Sequence, residues 1–285
     1  MNIGIVGVGA YLPPHRKLNT EWSSETTARW QRSGLLAHVQ KELDPKTEGE
    51  RLVAEAILAE KDDPFRGAVE RRIAGADVWA TDMEARAAEL ALESAGLAAS
   101  DIDLLLVHSV VPDYLQTPNA CKLQSHLGIP QQCLALDLES VCNSFHHQVE
   151  LARSLIHCGR ARRALLVQSC LYTRLIPHEA PHSAWFGDGA CAQVLAADDG
   201  ATVLGQAHRT DGSFDGTIVA SVTGGRWYDD GPTEWLPMKK ELATKFIISV
   251  ADMGRETTHA ALEEAGLTPE SVDFYASHQG TSWFR

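Results

Sequence analysis

Apolar positions along the chain follow two periods that alternate with one another. Short apolar runs bounded by turn residues predict strands at Ile3–Val8, Ile102–Val107, Cys133–Leu138, Ala164–Gln168, Ala190–Ala196, Thr202–His208 and Val272–Ala276. Helical spacing predicts helices over Met83–Ser94, Asn119–Leu127, Asn143–Cys158 and Glu241–Ala265. In the third of these, Phe145, Val149, Ala152 and Ile156 recur on one face, Asn143 and Ser144 can cap the start, and Gly159 marks the stop. Strands alternating with helices imply an α/β layered fold around central sheets. The stretch from Trp22 to Asp63 breaks the rhythm: it is charged and helical in pattern, with Pro45 and Pro64 as breaks, and reads as a helical insertion or cap.

The pattern also repeats. Ala91-Leu-Glu-Ser-Ala-Gly96-Leu97, then Asp103 and His108, recurs 170 positions later as Ala261-Leu-Glu-Glu-Ala-Gly266-Leu267, then Asp273 and His278. In each copy a helix closes at a glycine, and a short polar loop leads to an apolar strand. Two related βαβα halves are therefore expected, residues 1–197 with the insertion at about 22–63, and residues 198–285. A chance match of two common helix endings is the simpler alternative.

Composition narrows the class. At 285 residues and 44% hydrophobic content the chain can bury a large core, and no run approaches 18 apolar residues, so a membrane partner is not expected. The opening Met1-Asn-Ile-Gly-Ile-Val-Gly7 lacks a basic region and reads as a first strand, which points to the cytoplasm. The six cysteines form no CxxC pair and no zinc spacing, so no metal is expected and reduced, individually buried thiols are the simplest account. A net charge of −13 argues against nucleic acid as a partner. Two arginine clusters, one at Arg66, Arg71 and Arg72 and one at Arg153, Arg160, Arg162 and Arg163, suit an anionic carrier or nucleotide, or simply keep the surface soluble.

Cys142 stands out chemically. It lies where an apolar run passes through Glu139-Ser-Val141 into a helical pattern, so that free backbone N–H groups and the positive end of the helix dipole would favour its thiolate. The competing reading is a small buried hydrophobe. The glycines at 4, 7 and 9 do not form GxGxxG, which excludes a dinucleotide site of that kind.

Three motifs in order, Asp137-Leu-Glu-Ser-Val-Cys142-Asn-Ser-Phe145, Gly187-Asp188-Gly189-Ala-Cys191 and Ser277-His278-Gln-Gly280, resemble the thiolase-fold condensing enzymes, most closely the β-ketoacyl-acyl-carrier-protein synthase III group and its acyltransferase-like members. The opening Gly7-Val-Gly9-Ala-Tyr11-Leu-Pro13 and Leu127-Gly-Ile129 fit the same pattern. The resemblance implies a thiolase-like layered fold, Cys142 as the nucleophile that accepts an acyl group, and His278 as the histidine of the second half-reaction. It places Gly187, Asp188 and Gly189 around the pocket, with Asp188 bracing nearby backbone amides. Gln116 falls where relatives carry an apolar pocket residue or, in the head-to-head condensing branch, a glutamate base, which implies a short or polar acyl group. Relatives carry a further asparagine and a glycine-rich segment well beyond the histidine; here Arg285 follows soon after His278, so no third catalytic group is assigned and the second half is expected to be incomplete.

The chemistry is coherent on its own terms: a thiolate attacks a thioester carbonyl, and an imidazole then donates a hydrogen bond to an enolate or takes a proton from an acceptor. His146, one turn beyond Cys142, is a rival imidazole partner. The expected function is acyl transfer through Cys142 from acyl-coenzyme A or an acyl carrier protein, followed by condensation. Transfer to a hydroxyl or amine, or a non-catalytic partner subunit, are the alternatives. No cofactor is expected beyond the coenzyme A or phosphopantetheine thioester as substrate, and a homodimer is implied by the resemblance.

Overall fold

A run of leucines at the centre of the chain sets the architecture. Leu104, Leu105, Leu106 and Val107 are fully buried, with Leu105 and Val107 in one apolar cluster and Leu104 and Leu106 in another. A strand with period-2 side chains that are apolar on both faces must lie inside a sheet covered on both sides. The computed structural model describes residues 2–33, 38–39, 43–198, 200 and 202–280 and divides the chain into two compact units. The first comprises Met1–Arg16, Arg72–Arg174 and Gly187–Leu204; the second comprises Lys17–Arg71, Leu175–Phe186 and Gly205–Arg285.

The first unit is built on a five-stranded mixed sheet. Its strands are β1 (Ile3–Tyr11), β4 (Leu104–Ser109), β5 (Leu134–Asp137), β6 (Arg163–Leu171) and β7 (Asp188–Ala197), in the order β1-β7-β6-β4-β5. β4 runs parallel to β5 and β6, whereas β7 is antiparallel to both β6 and β1. Helices α3 (Ala80–Ala95) and α4 (Asn119–Leu127) contribute Met83, Ala87, Ala91 and Leu123 to the cluster holding Leu105 and Val107. Helix α5 (Ser144–His157) covers the opposite face through Val149, Ala152 and Ile156. The glycine in β1 is a packing requirement: a methyl on Gly7 would drive into the Ala91 carbonyl oxygen and Ala95 of α3.

The second unit holds the inserted helices α1 (Ser24–Ser33) and α2 (Glu48–Ala59), a hairpin of β8 (Val219–Val222) and β9 (Thr233–Leu236), and the long α6 (Lys240–Ala265). Thr47 caps α2 by accepting from the Glu50 N–H at 3.1 Å. Val53 and Ile57 of α2 pack with Ile247 of α6. The stretch from Trp22 to Asp63 contains α1 and α2, with non-helical chain at 43–47 and 60–63 and with 34–37 and 40–42 outside the described residues. A separate ribbon pairs β2 (His15–Leu18) with β3 (Glu70–Ile73).

The repeat is visible in local geometry. Gly96 after α3 and Gly266 after α6 both adopt left-handed conformations, φ 65 and φ 69, which glycine reaches without a Cβ penalty. Each closes the same pair of turns: Leu97 N–H donates to the Leu92 carbonyl at 3.0 Å and Leu267 N–H to the Leu262 carbonyl at 2.9 Å. A Cβ on Gly205 would meet the Ala261 carbonyl oxygen and Ala265, the counterparts of the atoms facing Gly7.

Two expected strands do not form: among the described residues, neither 202–208 nor 272–276 is a strand. Both correspond to strands of the first unit that gain their ladder from neighbours, β1 from β7 and β4 from β5 and β6. Among the described residues the second unit holds the β8–β9 hairpin and part of the β2–β3 ribbon, and neither 202–208 nor 272–276 pairs with them. The sequence division between 197 and 198 follows the repeat, whereas the contact division follows packing and changes unit after Leu204.

Candidate active site

Strand β5 ends at Asp137, and this carboxylate caps the neighbouring helix by accepting from the N–H groups of Asn119 and Ala120, each at 2.9 Å. Behind it, the fully buried Glu84 carboxylate accepts from Ser109 Oγ at 2.5 Å, Ser169 Oγ at 2.6 Å and Asn119 Nδ2 at 3.2 Å. This knot joins α3, β4, β6 and the start of α4, and so fixes the loop that carries Gln116. Burial pushes the Glu84 carboxyl up to about 7, against the three hydrogen bonds that favour its charged form.

From Asp137 the chain turns sharply. Val141 sits at φ 50, a conformation costing a β-branched residue about 1–3 kcal/mol. The strain is held by the Val141 N–H donating to Glu139 Oε1 at 2.8 Å and the Asn143 N–H donating to the Ser140 carbonyl at 3.1 Å. A 3-10 turn, Val141–Asn143, then feeds α5 at Ser144. Cys142 rides on this turn and keeps exposed surface.

The direction at the thiol is opposite to the one its position implies. Desolvation by the surrounding chain pushes it above the ordinary cysteine value, the negative charge of Glu139 adds to that rise, and only its own backbone N–H opposes them. Around it lie Tyr172 and Cys170, both also pushed up mainly by burial, Cys170 to about 12. The cysteines are all free, but they are not individually buried: Cys121, Cys142 and Cys158 are exposed and Cys133 alone is buried, since the others lie at helix surfaces, turns or partly open strand ends. His146 is exposed, its ring against Phe145 at 5.3 Å.

Asp188, almost fully buried at the start of β7, accepts from Ala74 N–H at 2.9 Å, Thr173 Oγ1 at 2.7 Å and Thr173 N–H at 3.2 Å. Gly187 precedes it, its carbonyl accepting from Cys170 Sγ at 3.6 Å, and Gly189 pairs with Cys170 across β6 and β7. Gln116 lines a cavity of about 250 Å³ with His108, Ser109, Tyr114, Thr117 and Glu139. His278 belongs to the second unit, where burial lowers its imidazole below the ordinary histidine value.

Two groups took no functional role from the sequence, where His108 served only as a mark of the repeat and Glu139 only as part of the turn before Cys142. His108, at the end of β4 and 5% exposed, shares the α5 side of the sheet with Leu104 and Leu106, and its Nδ1 lies 2.9 Å from Glu139 Oε2, off the line of the ring N–H. Burial tends to raise the Glu139 carboxyl, but His108 and the Val141 N–H outweigh it and hold it below the usual glutamate value. A histidine ending an otherwise apolar run and a glutamate three residues before the cysteine were the available signals. The Glu84 knot left less trace, because Glu84 and its three partners come from four separate elements.

Comparison with known proteins bears on the fold. Residues 136–212 match the family model of 3-oxoacyl-[acyl-carrier-protein] synthase III, and residues 65–168 match that of the thiolase N-terminal domain. The 3-oxoacyl-[acyl-carrier-protein] synthase III of Aquifex aeolicus superposes with a TM-score of 0.69 at 24% identity, over 95% of this chain and 74% of that one. A priming beta-ketosynthase of a polyketide biosynthetic pathway gives 0.70 at 26% identity, over 94% and 71%. The chain has the fold of the thiolase-like condensing enzymes. Within that fold, a variant of Xanthomonas campestris OleA also superposes, with a TM-score of 0.70 at 21% identity over 99% of this chain and 77% of that one. Condensing-enzyme architecture accounts for the mixed sheet of the first unit and for the turn that lifts Cys142 from the end of β5 into α5.

Proposed function

We propose that the chain is an acyl-thioester-dependent condensing enzyme in which Cys142 takes an acyl group from acyl-coenzyme A or an acyl carrier protein. The acyl-enzyme is then resolved by β-ketoacyl synthase III-like condensation with a second thioester, with His278 donating to the enolate oxygen that develops as carbon dioxide leaves. The observation that carries this reading is the strained turn at Val141, which presents a cysteine at the head of a helix in a chain with the condensing-enzyme fold. Gln116, Gly187, Asp188 and Gly189 are assigned to the surround of the acyl pocket, Gln116 favouring a short or polar group. The thioester supplies the activation, so the reading requires no cofactor or metal. We place the enzyme in the cytoplasm as a homodimer.

The test is direct. Incubation with acetyl-coenzyme A followed by intact mass measurement is expected to show one added acetyl group, absent from Cys142→Ala. An adduct of undiminished yield in that variant overturns the assignment.

A further inference from the structure

Burial and the charge of Glu139 both disfavour the Cys142 thiolate, so attack on a thioester calls for a group that receives the thiol proton. The groups acting on the thiol are few among those described. Tyr172 and Cys170 are held protonated by burial and have no room for another proton, and His147 Nδ1 is engaged with Ser140 Oγ at 2.7 Å. Glu139 is different: it is held ionised, its charge reaches the sulfur, and its two oxygens face two ways. Oε1 accepts from Val141 N–H, the residue beside the nucleophile, and Oε2 faces His108 Nδ1 at 2.9 Å. His108 is 5% exposed, its Nδ1 has no directed hydrogen bond, and it lines the same cavity as Glu139 and Gln116. It is also the counterpart of His278 in the 170-residue repeat. A carboxylate set against a buried imidazole is a pair able to gain one proton and remain stabilised.

We propose that Glu139 and His108 act together as the proton-holding pair of the acylation step, which rests on the function proposed above. Cys142 Sγ bonds to the carbonyl carbon of the donor thioester while that carbon releases the donor sulfur. The thiol proton passes to the carboxylate–imidazole pair and from the pair to the departing thiolate, which leaves as a thiol. Glu139 thus has two opposed effects: its charge suppresses spontaneous ionisation of Cys142, and with His108 it gives the thiol proton a place to go when a thioester is in place.

That opposition gives the test. Wild type, Glu139→Gln and His108→Gln are compared at neutral pH in two reactions at Cys142: alkylation by iodoacetamide, and acyl loading from acetyl-coenzyme A followed by quenched intact mass. Glu139→Gln is expected to alkylate severalfold faster, because a like charge beside the thiol is gone, and yet to load about a hundredfold slower, because the base is gone. His108→Gln is expected to load more slowly without faster alkylation. A purely structural role would slow both reactions together, and that result, or loading at the wild-type rate in both variants, overturns the inference. Glu139 has a largely exposed side chain, so its replacement leaves folding intact and carries the test if the buried His108 variant does not fold. Failure of wild type itself to load at Cys142 overturns the proposed function instead.

Discussion

Glu84 shows what a single buried carboxyl does to the pH response of the chain. Its folded value of about 7 stands above the ordinary 4.5, so between those limits the native state holds a proton that the unfolded state has released. The contribution is fully present below pH 4.5 and is lost as pH rises toward 7, a fall on the order of 3 kcal/mol. Glu84→Gln, which cannot ionise, is expected to abolish that slope in the thermal midpoint measured across this range. Asp188 offers the complementary case: Asp188→Ala leaves the Ala74 N–H and the Thr173 donors without their acceptor, and urea unfolding is expected to show a loss of about 1–3 kcal/mol for each buried donor stranded. At this scale the sequence was readable for position and poor for electrostatics. Cys142 is visible as a cysteine between a strand and a helix, but the rise of its thiol comes from desolvation and from Glu139 folding back toward it. Neither of these follows from the position of a helix end.

Elements were legible wherever local pattern and long-range pairing agreed. The helix over Asn119–Leu127 follows from spacing and from Gly128, and the leucine run of β4 could only be a buried strand. The segments 202–208 and 272–276 carry apolar residues at strand spacing and still form no strand, because a strand is completed by its neighbours. Phe274 at 83% and Tyr275 at 62% exposure show what that pattern becomes without a ladder. Glycine–helix contacts are close-packed joints between elements. Gly7→Ala and Gly205→Ala each force a methyl into a helix carbonyl, and each is expected to cost about 1–3 kcal/mol in chemical denaturation, whereas Gly254→Ala, with open space at its Cβ position, is expected to cost nothing or to stabilise α6.

For the whole molecule, the charge of −13 and the duplicated pattern were accessible from composition and from the 170-residue offset alone. The allocation of segments to units was not: Lys17–Arg71 and Leu175–Phe186 join the second unit through contacts such as Trp30 Nε1–H donating to the Glu179 carbonyl at 2.8 Å, between residues 149 apart in the chain. The proposed homodimer is expected to sediment as a single species of twice the 31.0 kDa chain mass at micromolar concentration, and a stable monomer there removes it. The two glycine–helix joints also bear on how the molecule carries its additional helices. Gly7 meets Ala91 across 84 residues of chain and Gly205 meets Ala261 across 56, the longer interval being the one that contains α1 and α2. Closing a loop depends only on the logarithm of its length, so the extra residues add about 0.4 kcal/mol of ordering entropy to the first joint. A half of this kind can therefore take in a whole helical segment at one loop and leave the joint that defines its architecture almost as stable as before.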